Sequence, residues 1–266
     1  METGNMQNKS LGQHWLTDIY SLESMTEAVD LQITDNVLEV GPGLGSLTKI
    51  LVKKAKHVTT VEVDRELIAK LKQSIKSENL TIVDQDILKF DFSSLPKDYK
   101  VIANIPYYLT SKLFRQLSET INPFSMAAIL VQKEVAERVA ATPGSMSMLS
   151  VSVQYYNHVS LGIIVPALLF DPPPKVDSQV VILKRRETDL FPGMDKKLFF
   201  KVVKAGFGQR RKKLTNSLSA GLGISKPDVE KLLINVGIDP KTRAQELDLY
   251  MWHDLANAVS GFPSNK

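Results

Sequence analysis

Short apolar runs alternate with helically spaced apolar residues along the first two thirds of the chain, a pattern that predicts strands and helices wound into a largely parallel α/β sheet. Residues 37–40 (Val-Leu-Glu-Val) predict a buried strand that runs into a turn with Gly41, Gly43 and Gly45. Leu44, Leu47, Ile50 and Leu51 then follow at near-helical spacing. A second strand is predicted over 57–63, and a helix over 65–74 with Asp64 as its cap. Further strands are predicted over 80–83, 99–103, 127–131, 150–156 and 179–183. The last two are expected to pair antiparallel, because a short turn-rich link separates them. The sheet is expected to occupy about 30 to 186, and residues 189–195, with Pro192 and Gly193, mark the expected domain boundary. Beyond it helices are predicted over 196–207, 210–218, 226–235 and 246–259, with Gly221, Gly223 and Gly237 in the links.

Polar residues at the predicted strand ends carry the candidate chemistry, since ligands of such sheets bind at the carboxyl ends of strands. Glycines in the first turn let the backbone approach a ligand closely. A dinucleotide fingerprint would need its third glycine at the position of Ser46, so the turn is not that fingerprint, and alone it fits any nucleotide site. Glu62 and Asp64 close the second strand about 20 residues past the first glycine, where such sheets place the acid that binds ribose hydroxyls. Glu62 is the expected ligand; the plainer alternative is a solvated acid at a strand end. Asp86, after the third strand, stands where it can accept an adenine amino group, or act only as a turn residue. Asn104-Ile105-Pro106-Tyr107 closes the fourth. The Asn carbonyl and the next backbone carbonyl can accept both N–H bonds of an aromatic amine, while the tyrosine offers a face for a base. Alone, the tetrapeptide also fits a strand end followed by a proline turn. Together, these four signals at successive strand ends point to methyl transfer onto an amino nitrogen.

Four segments resemble motifs of the small-subunit ribosomal RNA adenine N6,N6-dimethyltransferases: residues 9–16 (Lys-Ser-Leu-Gly-Gln-His-Trp-Leu), the loop from Glu39 to Gly45, residues 104–107, and residues 170–178 (Phe-Asp-Pro-Pro-Pro-Lys-Val-Asp-Ser). The last is the most specific, and the resemblance extends over most of the chain. It implies a Rossmann-like sheet dependent on S-adenosyl-L-methionine (SAM), followed by a small C-terminal α-helical domain. The implied organisation is an N-terminal arm and first helix contributing to the SAM site (1–29), a methyltransferase domain (30–188) and a helical RNA-binding domain (189–266). Carried over position by position, the resemblance implies that His14, Leu16, Gly41, Gly43, Glu62, Asp86 and Asn104 hold SAM. Asn104, Ile105, Pro106, Tyr107 and Phe170 form the implied catalytic site, with Tyr107 and Phe170 clasping the target adenine. The implied reaction dimethylates two adjacent adenosines in a hairpin loop near the 3′ end of small-subunit (16S) rRNA, within the immature small subunit, as a step of its biogenesis. No strong base is required, because the amine becomes acidic once it attacks the methyl sulfonium. Trp15 stands where the family usually has Phe, and His14 where Asn is common; both departures touch only the N-terminal contact. One rival is a large-subunit rRNA adenine N6-methyltransferase conferring antibiotic resistance, against which residues 170–178 argue. A second is a non-catalytic RNA-binding assembly factor, against which intact Glu62, Asp86, Asn104 and Tyr107 argue.

Composition narrows the choice further. The chain has 266 residues, no cysteine and four scattered histidines, so neither a disulfide framework nor a metal site is expected. No apolar run approaches the roughly 18 residues that span a bilayer, and the first residues lack a basic region before an apolar core, so a cytoplasmic location is expected. A monomer is expected. The formal charge is only +4, but from Lys184 to Lys266 there are 16 basic and 9 acidic side chains, a net of +7 that leaves −3 elsewhere. The excess gathers in Lys184, Arg185 and Arg186, in Arg210, Arg211, Lys212 and Lys213, and in Lys196, Lys197, Lys201 and Lys204 between them. Such clustering fits a surface that tracks RNA phosphates, although a solvated helix face has the same pattern.

Overall fold

The apolar runs assemble into a seven-stranded sheet, accompanied by a two-stranded ribbon. The structure, a computed structural model, describes residues 14–262 except Arg210, and the side chains of all of these except Tyr107. The elements of the first half are β1 (Trp15–Leu16), α1 (Ile19–Glu27), β2 (Asn36–Val40), α2 (Ser46–Lys54), β3 (His57–Glu62), α3 (Arg65–Ser74), β4 (Leu80–Asp84), β5 (Lys100–Asn104) and α4 (Thr110–Glu119). After these come β6 (Met126–Gln132), α5 (Lys133–Val139), α6 (Met148–Tyr156), β7 (Asn157–Val165), β8 (Phe170–Asp171) and β9 (Ser178–Arg185). Helices α7 (Lys196–Phe207), α8 (Leu214–Leu222), α9 (Lys226–Asn235) and α10 (Leu249–Ser260) complete the fold.

The sheet order is β4-β3-β2-β5-β6-β9-β7. Its first five strands are parallel, and β9 runs antiparallel to both β6 and β7. From β2 the chain steps outward through β3 and β4, then returns to lay β5 on the other flank of β2. The order therefore reverses at β2 and β5, and the crevice at their carboxyl ends is the topological switch point where open α/β sheets bind ligands. Val37, Leu38 and Val40 are buried because β2 is covered on both faces, and Glu39 is buried among them at 1% exposure.

Two compact units emerge. One holds Asn157–Arg185 with the chain up to Glu137; the other holds Arg138–Tyr156 with the chain from Arg186 onward. The first has a core that includes Met25, Leu51, Val58 and Ile102, and the second a core of Tyr155, Phe199, Leu233 and Trp252. The break lies at 185/186 instead of 188/189, and residues 138–156, expected within the sheet domain, join the helical unit.

Four other expectations need correction. Residues 150–156 are helical, within α6, and the strand that pairs antiparallel with β9 is the following segment, Asn157–Val165. Ser147 and Ser150 explain the helix start: the Ser150 hydroxyl accepts from the Ser147 N–H (2.7 Å) and the Ser147 hydroxyl from the Ser150 N–H (3.2 Å). The basic run before Leu214 lies outside α8, which starts only at that residue. Helix α10 begins at Leu249 instead of 246, because the Asp248 carboxylate caps it by accepting from Met251 N–H (2.8 Å). Gly221 sits inside α8, where a Cβ would come 2.6 Å from Ala205 Cβ on α7; its missing side chain lets the two helices pack closely. On the same helix as Ala205, Gly206 lies beneath the Trp252 indole, 2.3 Å from where its Cβ would be.

Candidate active site

A cleft of about 420 Å³ opens at the switch point, walled by the carboxyl ends of β2, β3 and β5 and by the loop after β4. Its floor is the glycine turn. Gly41 and Gly43 have φ of +67° and +56°, left-handed values that side-chain-bearing residues rarely adopt. A Cβ added to Gly41 would stand 4.0 Å from the Asn104 carbonyl oxygen, which shows how closely the ends of β2 and β5 adjoin. A Cβ on Gly43 would fall 2.3 Å from Trp15 Cζ3, so the indole of Trp15 lies directly on the turn. Trp15 is held there by the short ribbon in which Trp15 pairs with Asp171 and Leu16 with Phe170. His14 Nδ1 fastens the same junction, donating to the Pro172 carbonyl at 2.7 Å. The N-terminal motif and the proline-rich segment are therefore two sides of one clamp.

The acids differ in how they are held. Glu62 ends β3 at 7% exposure, and its Oε1 accepts from the backbone N–H of Val63 (2.8 Å) and Asp64 (3.0 Å). Burial raises the Glu62 pKa, while backbone hydrogen bonds from Asp64, Val63 and Gly43 oppose the shift and the Asp64 charge adds to it. Asp64 itself caps α3, accepting from Glu66 N–H (2.9 Å) and Leu67 N–H (3.4 Å). Asp86 Oδ1 accepts from Leu88 N–H (2.9 Å) at the head of the turn Ile87–Lys89, and the carboxylate borders the cleft. Glu39 also lines the cleft; its Oε2 accepts from the Thr48 hydroxyl (2.8 Å), and its buried Oε1 has no partner among the described residues. Burial pushes the Glu39 carboxyl up to about 7, with Thr48 and Thr60 pulling it down and Glu62 adding a small push.

Asn104 stands at the end of β5 against the cleft. Ile105, Pro106 and Phe170 line the same space, with Phe170 only 4% exposed. The structure thus brings together His14, Leu16, Gly41, Gly43, Glu62, Asp86, Asn104, Ile105, Pro106 and Phe170. The side chain of Tyr107 and residues 9–13 of the N-terminal motif lie outside the described residues. Sequence reasoning did not single out Trp15 as a cover for Gly43, nor Tyr108 and Lys112 as wall residues. The signal for Glu39 was present: an acid in the middle of an apolar strand.

The expected RNA-contacting residues stand apart from this cleft in their bonding. Lys184 is exposed, but Arg185 Nη1 donates to the Ser118 carbonyl (2.9 Å), and Arg186 Nε and Nη2 donate to the Gln154 carbonyl (3.3 and 3.2 Å). Partial burial lowers the Arg186 pKa. Those two guanidinium groups therefore serve the fold of their own units. Arg211, Lys212 and Lys213 are exposed in the turn before α8, and Arg210 is outside the described residues. Among the described residues no cluster of His, Asp and Glu could hold a metal ion, and no helix is long and apolar enough to cross a membrane.

The sequence profile described as ribosomal RNA adenine dimethylase matches residues 4–260. The chain belongs to that family. As a dimethylase it is an rRNA adenine N6,N6-dimethyltransferase that uses SAM. The dimethylase is 44% identical over 260 residues to the ribosomal RNA small subunit methyltransferase A of Dehalococcoides mccartyi (strain CBDB1), covering 96% of this chain and 89% of the relative. It is 40% identical over 262 residues to the protein of the same name from Lactococcus lactis subsp. lactis (strain IL1403), covering 94% and 89%. Among solved structures, the dimethylase resembles a dimethyladenosine transferase from Plasmodium falciparum, with a TM-score of 0.79 at 26% identity over 91% of this chain and 96% of that one. It also resembles the 23S rRNA methyltransferase ErmE, with a TM-score of 0.71 at 26% identity over 92% and 99%.

Proposed function

We propose that this dimethylase transfers methyl groups to N6 of two adjacent adenosines in a hairpin loop near the 3′ end of 16S rRNA. In this reading it acts on the immature small subunit as a cytoplasmic monomer. The observation that carries the reading is convergence: a glycine turn, two acids and an amide from four separate strand ends face one cleft. The residues present fit SAM. At Gly41 an added Cβ would meet nothing nearer than Pro106 Cδ at 3.9 Å, so the backbone there is open to a ligand, and the orphaned Glu39 Oε1 offers a buried acceptor beside it. Glu62 would accept from the two ribose hydroxyls, and Asp86 from the adenine amino group. When bound, SAM supplies an electrophilic methyl group.

Asn104 presents the target amine. Its side-chain carbonyl and the neighbouring backbone carbonyl accept the two N–H bonds, which aims the nitrogen lone pair into the cleft. Phe170 and Tyr107 hold the base, and an unstacked loop adenine enters at low cost. Exposed Lys184, Arg211, Lys212 and Lys213 contact phosphates and leave the chemistry to the cleft. The small-subunit assignment follows the relatives of about 40% identity, both named for that subunit.

The test is incubation with methyl-labelled SAM and immature small or large ribosomal subunits, followed by mapping of the modified bases. Label in two adjacent loop adenosines of the small-subunit RNA is expected. Label confined to large-subunit RNA would overturn the substrate, and no label in either would return the protein to a binding role.

A further inference from the structure

We propose that Tyr108 is a cofactor-binding residue whose ring covers the adenosine half of SAM and sets the affinity for that half. The inference rests on the reading of Glu62 and Asp86 as the adenosine ligands.

Tyr108 occupies the middle of the 3₁₀ turn Tyr107–Leu109 that joins β5 to α4. That turn is fixed on its inner side: Leu109 is 8% exposed, and its N–H donates to the Pro106 carbonyl at 3.0 Å. Successive side chains of a 3₁₀ turn point about 120° apart, so anchoring Leu109 in the core turns Tyr108 out of it. The Tyr108 ring accordingly lines the cleft yet is 60% exposed. A large aromatic surface left open at the wall of a ligand cleft is the kind of surface that a planar base covers.

The surrounding charge identifies which base. Burial raises the Tyr108 pKa, and the negative charges of Asp86 and then Glu62 raise it further, so the phenol remains a neutral donor within reach of both acids' fields. A negative field disfavours an approaching RNA phosphate and leaves a neutral adenosine unaffected. The ring therefore belongs to the cofactor's side of the cleft. Lys112, one helical turn further on and also on the wall, is a cation that can offer RNA a contact instead.

Calorimetry with S-adenosylhomocysteine, 5′-methylthioadenosine and a hairpin RNA carrying two loop adenosines separates the possibilities. Tyr108→Ala should weaken S-adenosylhomocysteine and methylthioadenosine alike, by about tenfold, as loss of one base-stacking face does. Tyr108→Phe should keep most of the affinity, and RNA affinity should hold in both. Should Tyr108→Ala melt early, Tyr108→Leu, which fills the turn without offering an aromatic face, is expected to show the same loss. Unchanged nucleoside affinity in a folded Tyr108→Ala, with Asp86→Ala weakened, sinks the inference alone. A loss confined to RNA would move the ring to the substrate side. If Asp86→Ala and Glu62→Ala also bind normally, it is the underlying reading of the acids that fails.

Discussion

Glu62 and Glu39 are neighbouring buried acids with different tasks. Glu62 has its carboxylate pinned by two backbone N–H groups, a pre-set orientation that suits a ligand with two adjacent hydroxyls. Glu62→Ala should weaken SAM binding by about 1.5–3 kcal/mol, the worth of charge-assisted hydrogen bonds, and calorimetry showing unaltered affinity in the folded variant would remove it from the site. Glu39 governs a pH dependence. Its carboxyl is raised by burial from 4.5 to about 7, so the folded protein binds a proton that the unfolded chain has already lost in that interval. That stabilisation is complete below about 4.5 and disappears as pH rises through about 7. In urea titrations of the ligand-free protein, wild type should lose on the order of 3 kcal/mol across that window relative to Glu39→Gln. Parallel pH profiles for the two proteins would contradict the assignment. Asn104 acts by orientation: Asn104→Ala should cut single-turnover methylation at saturating SAM and RNA by roughly two orders of magnitude, about 3 kcal/mol. RNA affinity, set elsewhere, should persist; near-normal turnover would point to another amine acceptor.

Elements are legible in the sequence where a strong cap marks their start. Asp64, Asp195 and Ser225 each accept a backbone N–H at the head of α3, α7 and α9, and those helices begin and end as their apolar spacing predicts. Helix α6 reads as a strand for two physical reasons. Val151, Val153 and Tyr155 alternate as a strand would, and the reciprocal cap uses Ser150 where Glu or Gln usually signals a box. Burial of α6 in the helical unit then overrides the β propensity of its valines. Ser147→Ala should therefore destabilise the protein by about 1 kcal/mol in denaturant titrations. A silent substitution would mean that packing alone sets this helix.

At the scale of the whole molecule, local reading fails for contacts that join distant parts of the chain. The glycine turn, Glu62, Asp86 and Asn104 are readable because each sits just after its own strand or at its end. The pairing of Trp15–Leu16 with Phe170–Asp171 is not, since neither two-residue strand has a periodicity of its own. Charge is another whole-chain property. Replacing Arg211, Lys212 and Lys213 with Gln should lower RNA affinity and flatten its salt dependence by about 0.7–0.9 log units of slope for each phosphate that is no longer neutralised, with SAM affinity unchanged. An unaltered slope would leave that turn merely solvated. Finally, the chain has two tryptophans, one in each unit: Trp15 on the floor of the cleft and Trp252 sealed in the helical core. Trp252→Phe would leave one indole, stacked on Gly43, as a built-in optical reporter. Its emission colour and quenching would then follow occupation of the cleft in real time, with no dye attached.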